Sequence, residues 1–303
     1  MNIDIPKGKY VVGVSGGVDS MVLLDILAKQ AISSRLTANG STSPLELVVA
    51  HFNHGIRPDS DKDEEFVRQK AKGYQLPFEA SHGNLGPKAS EEKARNARYK
   101  FLNDVKGRYQ ARAIVTAHHQ DDLMETAIIN LLRGTGRRGL TAITENPDII
   151  RPLLHLSKKD ILAYAKKNRL EWREDPTNKD ERYLRNFVRL RIIPKLSQSQ
   201  RQQLLQKIQD LGLTSRTINQ KIENLSQKIV KGKSIDRGAF IALPTEVANE
   251  VLMYFLRQNN IRTFDKKTVN RLVMAIKTAR PGTKHEVTSS IKIEVTKSSA
   301  LLQ

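Results

Sequence analysis

Short apolar runs alternate with longer segments of helical periodicity along the first half of the chain. The apolar runs are rich in β-branched residues and predict strands at 10–14, 45–52 and 113–117. Apolar residues recur every three to four positions in five other segments, which predicts helices at 20–30, 61–75, 90–104, 121–133 and 158–168. Strands that alternate with helices are typical of a mainly parallel sheet. The pattern therefore predicts a doubly wound α/β domain.

Single residues indicate where some of these segments begin and end. Ser90 has the side chain of a helix N-cap and is predicted to begin its helix. Gly134 directly follows the segment at 121–133 and is predicted to end that helix. Residues 31–44 are rich in Ser, Thr and Gly, so we expect a loop between the first helix and the second strand.

The last third of the chain has a different pattern. A Gln- and Lys-rich segment at 199–231 carries apolar residues at helical spacing and predicts a long helix that connects two domains. Two further helices are predicted at 246–258 and 266–278. Apolar and polar residues alternate at 291–295, which predicts a strand of a terminal hairpin. We therefore expect a smaller, mostly helical α+β domain at this end.

Charge is distributed unevenly between the two halves of the chain. The net charge is +19, yet residues 1–150 contribute only +2 and residues 151–303 contribute +17. A nearly neutral part beside a basic part predicts that one part performs chemistry and the other binds a polyanion. We assign the chemistry to a domain at 1–195 and polyanion binding to a domain at 196–303. Nucleic acid is the favoured partner, and a basic surface that only aids solubility is the alternative.

The composition excludes several classes of site. The sequence has no cysteine, which excludes disulfides, Cys-ligated zinc, iron–sulfur clusters and thiol catalysis. Its apolar runs are too short for a membrane span, and its first residues lack the apolar core of a secretory signal. We therefore expect a cytoplasmic protein that has no membrane partner.

The segment SGGVDS, residues 15–20, lies between the first predicted strand and the first predicted helix. This arrangement directs backbone N–H groups at an anion, and glycines let the chain approach a phosphate closely. The segment matches neither the Walker A pattern nor GxGxxG, and no lysine follows it. A carboxylate repels a bare anion, so Asp19 implies a Mg²⁺ that bridges it to phosphate. The alternative is a tight turn in which Asp19 and Ser20 only begin the helix.

Histidines and carboxylates follow the second and third predicted strands. His51 lies at the end of one strand, whereas His118, His119, Asp122 and Glu125 follow the other. Ligands of doubly wound sheets bind at these strand ends. Asp122 and Glu125 are three residues apart on one helix face and can bind Mg²⁺ or a substrate ammonium group. The alternatives are acids that stabilise the start of the helix and histidines that hydrogen-bond within their loops.

Two arginines and a tyrosine share one face of the helix predicted at 90–104. Arg95, Arg98 and Tyr99 are spaced at i, i+3 and i+4. Arginines on one face can clamp a triphosphate or neutralise the charge that develops during phosphoryl transfer. A solvated surface is the alternative, because acidic and basic residues alternate just before Arg95.

Six motifs occur in this order along the chain: SGGVDS, HFNHGIR, ARNARY, AHHQDDLMETAIINLLRGTGRRGL, RPLL and EDPTNKDERYLRNFVR. Together they resemble the tRNA(Ile)-lysidine synthetase family of N-type ATP pyrophosphatases, or PP-loop proteins. The resemblance covers roughly residues 10–195. Thr177 stands where the family usually has Ser, and Ala117 stands where it usually has Gly. The tail beyond about residue 200 resembles the family's tRNA-binding extension only loosely.

The resemblance implies a fold, a reaction and its partners. The fold is that of the adenine nucleotide alpha hydrolases. ATP adenylates the carbon-2 oxygen of the wobble cytidine in tRNA(Ile) with a CAU anticodon and releases pyrophosphate. The side-chain amine of free L-lysine then displaces AMP and gives lysidine. The implied substrates are ATP, L-lysine and this tRNA, with Mg²⁺ as the metal ion.

The resemblance also implies a role for each matched residue. The residues implied to bind ATP are Ser15, Gly16, Gly17, Val18, Asp19, Ser20 and His51, with Asp19 also the implied ligand of Mg²⁺. The residues implied to act in catalysis are Asp19, Arg95, His118, His119 and Asp122. The residues implied to bind lysine are Asp122, Glu125, Arg185 and Arg189, with the tRNA as the alternative partner of the two arginines. The acceptor of the amine proton stays open among Asp122, His118 and His119.

Two other functions are alternatives to lysidine synthesis. A PP-loop tRNA thiolase activates its base in the same way, but such enzymes generally use cysteines or an iron–sulfur cluster, and this chain has no cysteine. A nucleotide- or RNA-binding protein without catalysis would lack catalytic carboxylates, whereas Asp19, Asp122 and Glu125 are present. The oligomeric state stays open between a monomer and a homodimer.

Overall fold

A computed structural model describes residues 3, 5–36, 44–55, 59–83, 86, 91–141, 143, 148–261 and 264–303. The predicted N-cap Ser90 and residues 37–43 of the predicted loop lie outside these ranges. The chain forms two compact units, Met1–Leu211 and Gly212–Gln303. The roles assigned to domains at 1–195 and 196–303 stay a prediction.

The first unit is built on a five-stranded parallel sheet. Its strands are β1 (Gly8–Gly13), β2 (Leu45–Asn53), β3 (Phe78–His82), β4 (Ala113–Val115) and β5 (Ile149–Ile150). They lie in the order β3-β2-β1-β4-β5, and every pair is parallel. The three strands predicted from apolar runs are confirmed and occupy the centre of the sheet. The edge strands were missed, because β3 is half polar and β5 has only two residues.

Helices connect and cover these strands. The first unit contains the α-helices α1 (Val18–Leu36), α2 (Ser60–Gly73), α3 (Glu91–Arg108), α4 (Gln120–Leu132), α5 (Arg137–Leu140), α6 (Lys158–Lys167) and α7 (Leu184–Phe187). It also contains short 3₁₀-helices at Pro176–Lys179 and Ile193–Lys195 and a π-helical turn at Val188–Ile192. The five predicted helices are confirmed. Gly134 has a φ of +65°, which confirms that α4 ends just before it.

The predicted loop at 31–44 is wrong over its first six residues, which continue α1 as far as Leu36. Ala31 is buried in the core, and this packing outweighs the low helix propensity of the serines that follow it. The Ser34 hydroxyl donates a 2.9 Å hydrogen bond to the Ala31 carbonyl, which satisfies its polar group within the helix.

Both faces of the sheet are covered, as the doubly wound prediction requires. Alternate residues of β1 point to opposite faces, so Tyr10 and Val12 join one hydrophobic cluster and Val11 joins another. The first cluster includes residues of α1, α2 and α6, and the second includes residues of α3. The predicted doubly wound α/β class is therefore confirmed.

The second unit combines helices with an antiparallel sheet. A long helix, α8 (Gln198–Ile229), contains the boundary between the two units. The further elements are β6 (Val230–Lys231), β7 (Ser234–Asp236), α9 (Arg237–Ile241), α10 (Thr245–Gln258), α11 (Lys266–Thr278), β8 (Thr283–Glu286), β9 (Lys292–Val295) and β10 (Ser299–Leu302). The strand order is β6-β7-β10-β9-β8. The long helix, the two later helices and the terminal hairpin are confirmed, whereas the short β6, β7 and α9 were missed.

No helix in the described part of the chain combines the length and the apolar character that a bilayer-spanning segment needs.

Candidate active site

A cavity of about 450 Å³ lies where β1, β2 and β4 end. The predicted site residues that line this cavity are Ser15, Gly17, Asp19, Ser20, His51, His118, Asp122 and Arg189. The remaining predicted residues are Gly16, Val18, Arg95, His119, Glu125 and Arg185, which do not line it. The carboxyl ends of neighbouring parallel strands meet at one edge of a sheet, which explains why distant motifs converge there.

The loop between β1 and α1 is held in a defined shape. Gly16 has a φ of +90°, a conformation that residues with a Cβ rarely adopt. The Ser20 hydroxyl donates to the Gly17 carbonyl at 2.9 Å and accepts from the Ser15 backbone N–H at 3.2 Å. The two serine hydroxyls are also 3.2 Å apart. The predicted order of strand, glycine turn and helix is therefore present, and the two serine hydroxyls connect the ends of the turn.

Asp19 lies at the start of α1 and is paired with two side chains from other elements. The Lys158 ammonium is 2.6 Å from Asp19 Oδ1, and His119 Nε2 is 3.7 Å from Asp19 Oδ2. Burial alone would raise the pKa of the Asp19 carboxyl, but His119 and Lys158 outweigh burial and lower it to about 2. Asp19 therefore carries a full negative charge at neutral pH.

His119 joins the start of α4 to the start of α1. Its Nδ1 accepts a hydrogen bond from the Asp121 backbone N–H at 3.2 Å, and its own backbone N–H donates to Asp122 Oδ2 at 3.0 Å. The side chain thus caps the helix, although it is buried and does not line the cavity. Burial alone would lower the pKa of His119, but Asp19 and Asp122 raise it above the ordinary value.

His118 has the opposite electrostatic environment. Its Nδ1 is 2.9 Å from the Thr116 hydroxyl. Burial, with a smaller contribution from the charge of Arg151, lowers the pKa of His118 to about 3 despite the nearby Asp122 carboxylate. His118 is therefore neutral at pH 7 and can serve as a polar lining group without carrying charge.

We expect the two adjacent histidines to titrate far apart. His118 should stay neutral from about pH 5 upward, whereas His119 should protonate with a midpoint above the ordinary histidine value of about 6.5. Imidazole NMR shifts recorded between pH 4 and pH 9 would give the midpoint of His119 and should show no midpoint for His118 within that range. A His118→Gln variant assigns the signals and serves as the control. A midpoint for His118 above that of His119 would contradict the arrangement.

Glu125 is fully buried and is paired with two arginines. Arg189 donates from Nε to Glu125 Oε1 at 2.7 Å and from an NH2 group to Oε2 at 2.9 Å. The Arg185 Nε is 3.2 Å from Glu125 Oε2. Burial raises the pKa of the Glu125 carboxyl, and Arg189 and Arg185 oppose that rise. Arg189 also reaches within 3.6 Å of Asp122 Oδ1, so it links the buried pair to a carboxylate of the cavity.

The two predicted arginines of α3 differ in position. Arg95 and Arg98 both lie over the Tyr99 ring, at 4.9 and 5.3 Å from its centroid, so the predicted shared face is confirmed. Arg98 lines the cavity, whereas Arg95 does not. His51 is buried at the end of β2, where its Nδ1 donates to the Val14 carbonyl at 2.9 Å and leaves Nε2 as an acceptor.

Several cavity residues were missed by sequence reasoning. Arg173 pairs with Asp63 of α2, and its backbone N–H donates to the Gly16 carbonyl at 3.0 Å. The cavity is also lined by Glu174, Asp175, Thr177 and Asn178, all from the EDPTN segment. The sequence identified this segment as a motif but did not predict that it lies beside the loop between β1 and α1, because that position depends on long-range contacts. Lys158 gave no signal of its own.

The donor set beside the loop fits a magnesium ion. Mg²⁺ usually binds one or two carboxylates and completes its shell with phosphate oxygens and waters. Asp19 supplies one carboxylate beside the loop between β1 and α1. Within the described residues, no group of three or more His, Asp or Glu side chains converges as a metal site. The residues therefore fit an ion that is held jointly with a nucleotide.

Comparisons with known proteins agree with this geometry. The model of the PP-loop domain family matches residues 2–196. The tRNA(Ile)-lysidine synthase of Thermotoga maritima is 38% identical over 201 residues, which are 63% of this chain and 46% of the relative. The enzyme of the same name from Geobacter sulfurreducens is 39% identical, over 63% of this chain and 41% of the relative. The chain thus spans less than half the length of these curated relatives.

Solved structures show the same fold. The U34-tRNA thiolase NcsA from Methanococcus maripaludis superposes with a TM-score of 0.52 over 68% of this chain and 73% of that chain. Its sequence is only 17% identical, so the likeness concerns the fold alone. The family model covers well over half of the 303 residues, and its span contains every strand and loop that lines the cavity. The chain therefore belongs to the PP-loop domain family.

Proposed function

We propose that this protein joins L-lysine to carbon 2 of the wobble cytidine in tRNA(Ile) with a CAU anticodon, at the expense of ATP. The observation that carries the proposal is one cavity lined both by the glycine loop with Asp19 and by Asp122 with Arg189. The glycine loop with Asp19 suits a magnesium nucleotide, and Asp122 with Arg189 suits an amino acid. The names of the curated relatives support the same reaction.

The first step requires a bound triphosphate and an activated base. The backbone and hydroxyl groups of residues 15–20 would hold phosphate oxygens, and Asp19 would hold Mg²⁺, which supplies charge neutralisation when it is bound. The carbon-2 oxygen of cytidine attacks the α-phosphorus, and the bond to pyrophosphate breaks. Arg98 lines the cavity and Arg95 supports it across Tyr99, so this pair would balance the charge that develops.

The second step requires a lysine amine that has lost its proton. Asp122 lines the cavity and would bind the side-chain ammonium, whereas the Glu125 carboxylate is already engaged by Arg189 and Arg185. Glu125 and Arg185 would then act by holding Arg189 in place. The amine attacks carbon 2, and the oxygen leaves with AMP. The lowered pKa values of His118, about 3, and of Asp122 make both side chains weak proton acceptors, whereas the pKa of His119 is raised, so His119 is the strongest base of the three.

The basic second half of the chain would bind the tRNA backbone. Residues 151–303 carry a net charge of +17, and Lys and Arg side chains neutralise phosphates. The electrostatic contribution is independent of base sequence, so it adds affinity for any tRNA. Recognition of the CAU anticodon must therefore come from groups that contact the bases.

Mass spectrometry of the RNA product tests the proposal. The protein is incubated with ATP, Mg²⁺, lysine and a tRNA(Ile) transcript with a CAU anticodon. We expect a mass gain equal to lysine minus water, at one nucleotide. A transcript with uridine at the wobble position is the matched control and should gain nothing. A sulfur-sized shift would replace the proposal by thiolation, and an unchanged mass would overturn it.

A further inference from the structure

Lys158, at the start of α6, forms an ion pair with Asp19, the carboxylate that follows the glycine loop of residues 15–18. No lysine follows SGGVDS in the sequence, unlike the Walker A pattern. The structure nevertheless brings Lys158, 139 residues away, to the loop. Its ammonium nitrogen is 2.6 Å from Asp19 Oδ1, and its side chain is 37% exposed. Solvent and ions can therefore reach the pair.

The start of α6 is fixed in place, so Lys158 is not free to drift. The Ser157 side chain and Asp160 form a reciprocal cap at this helix start. Gln120, the first residue of α4, donates from its backbone to the Leu156 carbonyl at 3.0 Å and from its side chain to the His155 carbonyl at 2.8 Å. A hydrogen-bonded junction thus holds the base of the Lys158 side chain beside Asp19.

The position of Lys158 is unfavourable for its own helix. A cation in the first turn opposes the helix dipole, whereas an acid there would stabilise the helix. The pairing with Asp19 offsets this cost. Mg²⁺ would bind through the same carboxylate of Asp19, so the Lys158 ammonium and the metal ion would compete for one carboxylate.

We propose that Lys158 is a resident counter-ion that stands in for the divalent ion at Asp19. In the absence of metal it neutralises Asp19, so that the loop does not repel the phosphates of an incoming nucleotide. The metal displaces the ammonium from the carboxylate when the magnesium nucleotide binds. The inference rests on the proposed function only in taking ATP as the nucleotide.

Nucleotide titrations with and without metal test this role. An ATP analogue with a methylene group between the α- and β-phosphates is titrated calorimetrically onto the full chain, in excess EDTA or in saturating Mg²⁺. In EDTA we expect Lys158→Met to bind the analogue at least about tenfold more weakly than the unaltered protein, because Asp19 then keeps only the more distant His119 as a partner. In Mg²⁺ the two proteins should agree within about threefold, because the ion neutralises Asp19.

Matched variants separate the role of Lys158 from general effects. Lys159→Met removes an exposed neighbouring charge and should resemble the unaltered protein in both solutions. Lys158→Arg should restore most of the affinity in EDTA. Melting temperatures measured for each variant show that the fold is retained. An equal loss for Lys158→Met in both solutions, or no loss in EDTA, would overturn the inference.

The titrations test the role of Lys158 separately from the formation of lysidine. The titrations contain neither tRNA nor lysine, so a failure to form lysidine leaves the inference standing. If the unaltered protein binds no analogue even in Mg²⁺, both proposals are overturned. If it binds the analogue with the same magnesium dependence as Lys158→Met, only the role of Lys158 is overturned.

Discussion

Asp19→Asn is expected to slow pyrophosphate release by about 10²- to 10³-fold, the usual cost of removing one group that stabilises developing charge. The substitution keeps the size of the side chain and removes its negative charge. The carboxylate is where Lys158 and His119 meet the glycine loop, and it is the donor that would hold Mg²⁺ against phosphate. The loss should therefore fall on the adenylation step, before lysine takes part.

Two measurements on Asp19→Asn distinguish a role in adenylation from a structural role. Pyrophosphate release is followed with ATP and the CAU transcript, and tRNA affinity is measured separately by filter binding. The affinity should stay within about twofold, because electrostatic binding of a polyanion depends on the summed basic surface rather than on one acid. Asp104→Asn, an exposed acid of α3, is the control and should change neither quantity. Equal losses of rate and affinity would show that Asp19 is only structural.

The sequence predicted the central part of the site because strand ends determine it. Three apolar runs identified β1, β2 and β4, and the polar residues that follow each run had to meet at one sheet edge. That geometry needs no knowledge of side-chain contacts. It placed Asp19, His51 and Asp122 around one cavity.

The remaining contacts depend on tertiary packing that residue spacing does not encode. Lys158 reaches Asp19 only because α6 packs on the same core cluster as α1 and is tied to α4. Arg173 reaches Asp63 across 110 residues of sequence. The environment of Glu125 also depends on tertiary packing. Helix spacing places Glu125 on the same face as Asp122, but its carboxylate is buried against Arg185 and Arg189. Periodicity gives the face of a helix but not the partner that meets it.

That buried pairing predicts the largest effect on stability. Glu125→Ala should lower the free energy of unfolding by about 3 kcal/mol, because it leaves two arginines without their carboxylate. We take the lower end of the range for a broken buried pair, since the Arg189 side chain is 35% exposed and can recruit water. The melting temperature should then fall by roughly 10 °C. Circular dichroism melting curves measure the change.

Two further variants show whether the charge or the shape of Glu125 matters. Glu125→Gln keeps the shape and one good acceptor for Arg189 but removes the charge, so its melting temperature should lie between those of the unaltered protein and Glu125→Ala. Glu92→Ala removes an exposed acid from α3 and should change stability by no more than about 0.5 kcal/mol. If Glu125→Ala melts with the unaltered protein yet raises the KM for lysine, Glu125 contacts the amino acid directly. In that case the arginines hold it for the substrate, and the assignment of Glu125 as their anchor is wrong.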